Sequence, residues 1–220
     1  PVAAAINAMT EAAQISGRWQ MGYGQFEHKM NALGFPSFAQ AVALAPYDLI
    51  SDMMRGMRGT MTDMYRCPEK VVAACERLVP IAINWVLKGA RPPSTPLSFM
   101  PLHKGADGFM SREQFDTFYW PTLKAVILGL IEQGFIPYLF AEGRYGSRLE
   151  AIMDLPRART VWLFDQTDMA RAKQTIGKVA CIQGNIPLSM IYAGTEEETA
   201  EYTRALIDSA GEGGGFILDI

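Results

Sequence analysis

The sequence predicts an α/β fold built on a parallel sheet. A (β/α) barrel, incomplete in this chain, is favoured over an open doubly wound sheet. Three observations carry that prediction. Short apolar runs alternate with amphipathic stretches through residues 96–220. The runs are apolar on both faces, the pattern of strands covered by helical crossovers. Each run ends in a polar residue, and none is followed by the glycine-rich signature of a nucleotide-binding sheet.

Composition sets the outer bounds. With 220 residues, 49% of them apolar and 20% charged, the chain has the material for a core, which excludes a disordered polymer. A net charge of −3 lacks the basic excess of a nucleic-acid binder. The longest apolar stretches, such as AVILGLI at 125–131, fall short of the ~20 residues of a membrane-spanning helix. Cys67, Cys75 and Cys181 match no zinc or disulfide spacing and read as free thiols in a reducing, cytoplasmic compartment. Pro1 opens directly into PVAAAINAM, and GGGFILDI stops inside a strand-like run, so a segment of a longer chain is expected. A barrel interrupted in this way leaves open strand edges, and poor solubility in isolation is predicted.

The elements follow in order within one domain. Residues 1–95 are Met-rich and helical in pattern. Met53, Met54, Met57, Met61 and Met64 recur at helical spacing and predict a packing stripe on one helix. The functional alternative is a pliant apolar wall against a ligand, with Arg55 and Arg58 meeting its carboxylate or amide arms. The proline-rich run 89–96 reads as a linker into the next strand. LSFMPLH (97–103) is that strand; Ser111 and Gln114 then form a capping box for a helix that Pro121 should kink and Gly134 should stop. FIPYLF (135–140), a short helix near 147–153, TVWLF (160–164) and a helix from Asp168 to Ile176 come next. KVACI (178–182), a Gly-Asn-Ile-Pro turn, a helix capped by Thr195 and Glu198, and GFILDI (215–220) complete the chain.

The polar residues closing the runs are His103, Glu142, Asp165, Gln183 with Asn185, and Asp219. In (β/α) barrels the carboxyl ends of the strands carry the active site, which makes these the candidate residues. Glu142 suits zinc ligation through oxygen or general acid–base work. Its structural alternative is a salt bridge to Arg148, the cation otherwise expected on substrate. Asp165 is free for function because Thr167 or Asp168 makes the better helix cap. His103, beside Lys104 and Asp107, suits a metal ligand or a proton donor. Gln183 and Asn185 offer amides to a substrate carboxylate or a cofactor amide, or simply shape a turn. Asp219 is expected to point into the barrel. His28 has no partner pattern and reads as a surface or core residue.

Several segments carry a resemblance. GADGFMSREQFDTFYWPTLKAVI (105–127), IPYLFAEG (136–143), VWLFDQTDMARAKQTIG (161–177), ACIQGNIP (180–187) and GGGFILDI occur in the order and spacing of the uroporphyrinogen decarboxylase superfamily. APYDLISDMMRGMRGTMTDMYRCPEKV (45–71) is similar to the relatives that are not decarboxylases. The resemblance implies a (β/α)8 TIM barrel and an enzyme. Methyl transfer between a corrinoid and a small-molecule or thiol acceptor, usually with zinc, leads. Cofactor-free decarboxylation of uroporphyrinogen III is the alternative, and a non-catalytic barrel that docks a corrinoid protein is a second. A homodimer is also compatible with the family. The methyltransferases usually place His-x-Cys where this chain has Phe140-Ala141-Glu142, so Glu142 stands at the second ligand position. The arginine-containing segment with which decarboxylases grip substrate carboxylates is not found here.

Overall fold

The computed structural model describes residues 2–35, 41–89 and 96–220. Most of the proline-rich linker lies outside the described residues.

Among the described residues six parallel strands form one sheet: β1 (Ala41–Val42), β2 (Leu97–Leu102), β3 (Ile136–Ala141), β4 (Val161–Phe164), β5 (Cys181–Gln183) and β6 (Phe216–Ile217). Spatial order equals chain order, β1 through β6, and every neighbouring pair is parallel. A doubly wound sheet reverses direction at a switch point, whereas a barrel winds one way around. The sheet is thus an open arc of a (β/α) barrel, as predicted. The strand that sequence reading missed is β1, two residues long and too short to leave a periodic signal.

Helices cover one face. After α1 (Val2–Ala32) come α2 (Pro46–Leu49), a π-helical turn at Ile50–Met54, α3 (Met57–Arg66) and α4 (Pro68–Gly89). Then α5 (Arg112–Gln114), a second π turn at Phe115–Tyr119 and α6 (Trp120–Glu132) follow β2, and α7 (Leu149–Ile152) follows β3. Last are α8 (Met169–Ile176), α9 (Leu188–Ala193) and α10 (Glu196–Ala210). Met100, Leu102, Leu139, Ala141, Trp162, Phe164 and Ile182 are fully buried on the helix-covered face, set by the two-residue strand period. The other face carries a row of rings, with Phe99 5.9 Å from Tyr138 and 6.5 Å from Phe140. Where α6 crosses α4, a Cβ on Gly129 would come within 2.4 Å of Ile83 Cδ1, so the two helices approach closely there.

Both capping boxes form as read: Ser111 accepts from Gln114 N and Thr195 from Glu198 N. Asp168 is the cap of α8, accepting from Arg171 N at 2.9 Å. The long helix after Ser111 runs unbroken through α5, the π turn and α6, and the distortion expected at Pro121 is that π turn, immediately before it. One helix reading changes: the methionine stripe is not one helix. Gly56, at φ 77°, separates the first π turn from α3; Met64 is buried, while Met53, Met54 and Met57 are exposed.

α1 is the outlier. None of its residues is buried, and Trp19, Tyr23 and Phe26 lie in solvent, with Trp19 stacked on Tyr23 at 5.2 Å. His28 is exposed on the same helix.

Candidate active site

The sheet register aligns the strand ends. Leu102 pairs with Ala141 and Ala141 with Phe164, so His103, Glu142 and Asp165 leave three adjacent strands at one level. Gln183 pairs with Leu163 and with Ile217, which brings Asp219 alongside. The carboxyl edge therefore gathers five of the predicted residues from separate strands.

His103 is the centre of the arrangement. Its Nδ1 lies 2.5 Å from Asp52 Oδ2, and its Nε2 4.0 Å from Glu142 Oε1. Lys104 Nζ donates to the other oxygen of Asp52 at 2.8 Å. Burial pushes Asp52 up, but the hydrogen bonds from Lys104 and His103 outweigh it and hold its carboxyl below the usual range. Asp52 thus stays ionised and fixes the imidazole by one nitrogen, leaving the other to face Glu142 and the mouth.

Beneath this pair lies Asp48, with no exposed surface. Its Oδ2 accepts from the backbone N–H of His103 at 3.0 Å and from the Tyr119 hydroxyl at 2.6 Å, while Oδ1 has no partner. Burial raises its carboxyl to about 6, against the lowering effect of those two hydrogen bonds. Asp48 anchors the residue that carries the imidazole. The Tyr119 and Tyr145 rings close tightly around Gly105, where a Cβ would meet Tyr119 Cε1 and Tyr145 Oη at 2.6 Å. Burial pushes both phenols well above their ordinary value, so they are neutral donors.

Asp52 and Asp48 were not among the sequence candidates. Both follow the two-residue β1, and Asp52 lies in the stretch read as a methionine stripe. The usable signal was the segment APYDLISDMM, which places two carboxylates four apart on a helical turn.

Other candidates serve the walls of the site. Asp165 Oδ1 accepts from Gly143 N at 2.7 Å, tying the β4 end to the loop after Glu142. Gly143 has φ 87° and a would-be Cβ 3.1 Å from Ala106 Cβ, so this link needs glycine. Gln183 donates to Asp219 Oδ2 at 2.5 Å. Asn185 donates to Thr167 O at 2.7 Å and Asp165 O at 3.3 Å, a loop-shaping role for its amide nitrogen. A cavity of about 520 Å³ opens beside Asp165 and Asn185 toward α10, walled by Met169, Tyr202 and Leu206. Neither His103 nor Glu142 lines it, so it adjoins the imidazole centre without containing it.

Arg148 is a correction. It is 1% exposed, donates to the carbonyls of Gly105 and Met110 at 3.2 and 2.5 Å, pairs with Asp107 at 3.3 Å and lies over the Phe115 ring. It bonds neither Glu142 nor open solvent. Its guanidinium pins the loop after β2 to the loop after β3. Asp107, expected beside His103, instead accepts from Ser147.

Among the described residues no group of three or more His, Cys, Asp or Glu side chains could hold a metal ion. The three cysteines are free, and Cys75 is buried. Met53, Met54 and Met57 are exposed, and Met54 lines a groove against α4 with Ile50, Ala74 and Leu78.

The comparisons with known proteins agree with this architecture. A search of curated proteins gave no match. The structure is similar to that of a methyltransferase from Methanosarcina mazei, with a TM-score of 0.60 and 15% identity over 80% of this chain and 51% of that one. The chain thus spans about half the length of that protein, and the likeness concerns the fold. The sequence model described as Uroporphyrinogen decarboxylase (URO-D) matches residues 38–220. With most of its length matched and its strands wound as a barrel arc, the chain belongs to the uroporphyrinogen decarboxylase family.

Proposed function

We propose that the protein is a methyltransferase of this family, moving a methyl group from a small-molecule donor to a corrinoid, with His103 handling the proton. The observation that carries this reading is the Asp52–His103–Glu142 line at the strand ends. A corrinoid, when bound, supplies the metal centre that receives the methyl group. His103, held at Nδ1 by Asp52, protonates the departing heteroatom of the donor through Nε2. Glu142 stabilises the imidazolium before transfer and aids its reprotonation afterwards. Asp48 holds the backbone of His103 in place for that step.

The charge of the rim favours this reading over the decarboxylation of uroporphyrinogen. Asp52, Glu142, Asp165 and Asp219 gather at the carboxyl edge, while Lys104 is engaged with Asp52 and Arg148 with carbonyls. Arg144, on the loop after β3, is exposed. A substrate bearing many carboxylates would be repelled by such an edge; a neutral donor would not.

Incubation of the protein with cob(I)alamin and a series of methoxyaromatic, methylthio and methylamine donors tests this directly. Methylcobalamin, followed by its absorption spectrum, is expected with at least one donor class and is expected to form about 10²- to 10⁴-fold more slowly in His103→Ala. Carbon dioxide released from uroporphyrinogen III, with no methylcobalamin from any donor, would overturn the reading. A carrier protein that presents the corrinoid is the natural partner.

A further inference from the structure

At the amino edge of the sheet, opposite the candidate site, a cavity of about 420 Å³ lies among the loops that lead into β4, β5 and β6. Its lining includes Arg157, Thr160, Lys178 and the run Gly213-Gly214-Gly215, and it includes no carboxylate. Arg157 and Lys178 have no ion-pair partner among the described residues, in contrast to Lys104, Arg112, Arg148 and Arg171, which all do.

The backbone sharpens the polarity. All three glycines have positive φ, between 69° and 76°, and Ala158 shares that conformation at φ 59°. A non-glycine residue held there is strained, and such residues concentrate at functional sites. The carbonyls of Gly211, Gly214 and Gly215 are occupied by Gly214 N, Lys173 Nζ and Ile182 N. The N–H groups of Gly213 and Gly215 meet no acceptor among the described residues. Thr160, 2% exposed, accepts from Trp162 Nε1, and its own hydroxyl proton is not donated to any described group. Two cations without an ion-pair partner, the exposed Gly213–Gly215 run and Thr160 thus line one space that holds no carboxylate.

We infer that this cavity binds an oxyanion, specifically the phosphate of a small phosphorylated ligand. Backbone N–H groups and cations arranged around a concavity are the general means of phosphate binding. The volume exceeds that of a bare phosphate and falls within the range of small-molecule pockets, about 300–1,000 Å³. The site is independent of the chemistry at the carboxyl edge.

Inorganic phosphate is the probe. Titration followed by ³¹P line width, at ionic strength fixed with sodium chloride, is expected to show saturable binding to the unmodified protein. Arg157→Ala/Lys178→Ala is expected to weaken it at least tenfold, with circular dichroism unchanged because both side chains lie at the surface. Arg77→Ala, an exposed cation on α4, is expected to leave it unaltered. Absence of saturable binding in the unmodified protein, or equal weakening by all these changes, would overturn the inference.

Discussion

The two edges of one sheet carry opposite chemistry. At the carboxyl edge gather Asp48, Asp52, Glu142, Asp165 and Asp219, with Asp52 and Glu142 on either side of a single imidazole, and the nearby Lys104 and Arg148 are engaged. At the amino edge Arg157 and Lys178 line a cavity free of carboxylates. Because all six strands run the same way, every strand delivers its terminal residue to the same edge, and small biases in loop composition add up across the sheet. A parallel sheet can therefore keep an acidic, proton-handling end and a basic, anion-attracting end about one strand length apart.

The largest effect expected at the acidic edge is catalytic. His103→Ala should lower the rate of methyl transfer by about 10²- to 10⁴-fold, the usual contribution of a positioned acid–base group. Asp52→Asn should give a smaller loss in kcat with KM little changed, since Asp52 acts through the imidazole. Single-turnover kinetics would separate these outcomes, and equal losses in KM alone would break the assignment.

Next is Arg148, whose removal would leave the carbonyls of Gly105 and Met110 without their donor. Arg148→Met should cost about 3 kcal/mol or more in urea unfolding, the scale for removing one partner of a buried charged network. The loop bearing His103 should loosen with it. A loss confined to activity with stability untouched would return Arg148 to substrate binding.

Asp48 gives a pH signature. Its folded carboxyl titrates near 6, raised chiefly by burial from an ordinary 3.8. Between those values the folded state holds more protons than the unfolded state, so stability falls as pH rises through this window and is level above it. The drop is about 3 kcal/mol by the usual conversion of a shift into free energy. Asp48→Asn should flatten the dependence, measured by urea unfolding from pH 4 to 7. A parent protein whose stability rises across the window would contradict the assignment.

The smallest effect is steric. Gly105→Ala forces a methyl group against Tyr119 and Tyr145 and should cost about 1–3 kcal/mol, read as a lower unfolding midpoint.

What was legible in the sequence follows from strand length. β2, β3, β4 and β5 show as apolar runs, and the polar residue ending each run falls at the shared edge, so the placement of His103, Glu142, Asp165 and Gln183 there is readable without coordinates. The placement of Asp219 beside β6 is readable the same way. Asp48 and Asp52 could not, because β1 has two residues and the helices after it are broken by a π turn and by Gly56. Arg148 misled for a different reason. A cation in the loop after a strand end looks like a substrate ligand, and only the positions of the Gly105 and Met110 carbonyls, brought from a loop some 40 residues away, show it to be structural. α9 escaped notice because Pro187, its cap, offers no side-chain hydrogen bond to mark a helix start.

The account rests on the orientation of one imidazole, and the protein has two histidines, His28 and His103. Long-range ¹H–¹⁵N correlation spectra of the rings, with His28→Gln to assign them, report which nitrogen carries the proton in the neutral state. A proton on Nδ1 of His103, facing Asp52 and leaving Nε2 for the mouth, is the expected result, with that preference lost in Asp52→Ala. A proton on Nε2, or a ring averaging between tautomers as an exposed histidine does, would contradict the central assignment.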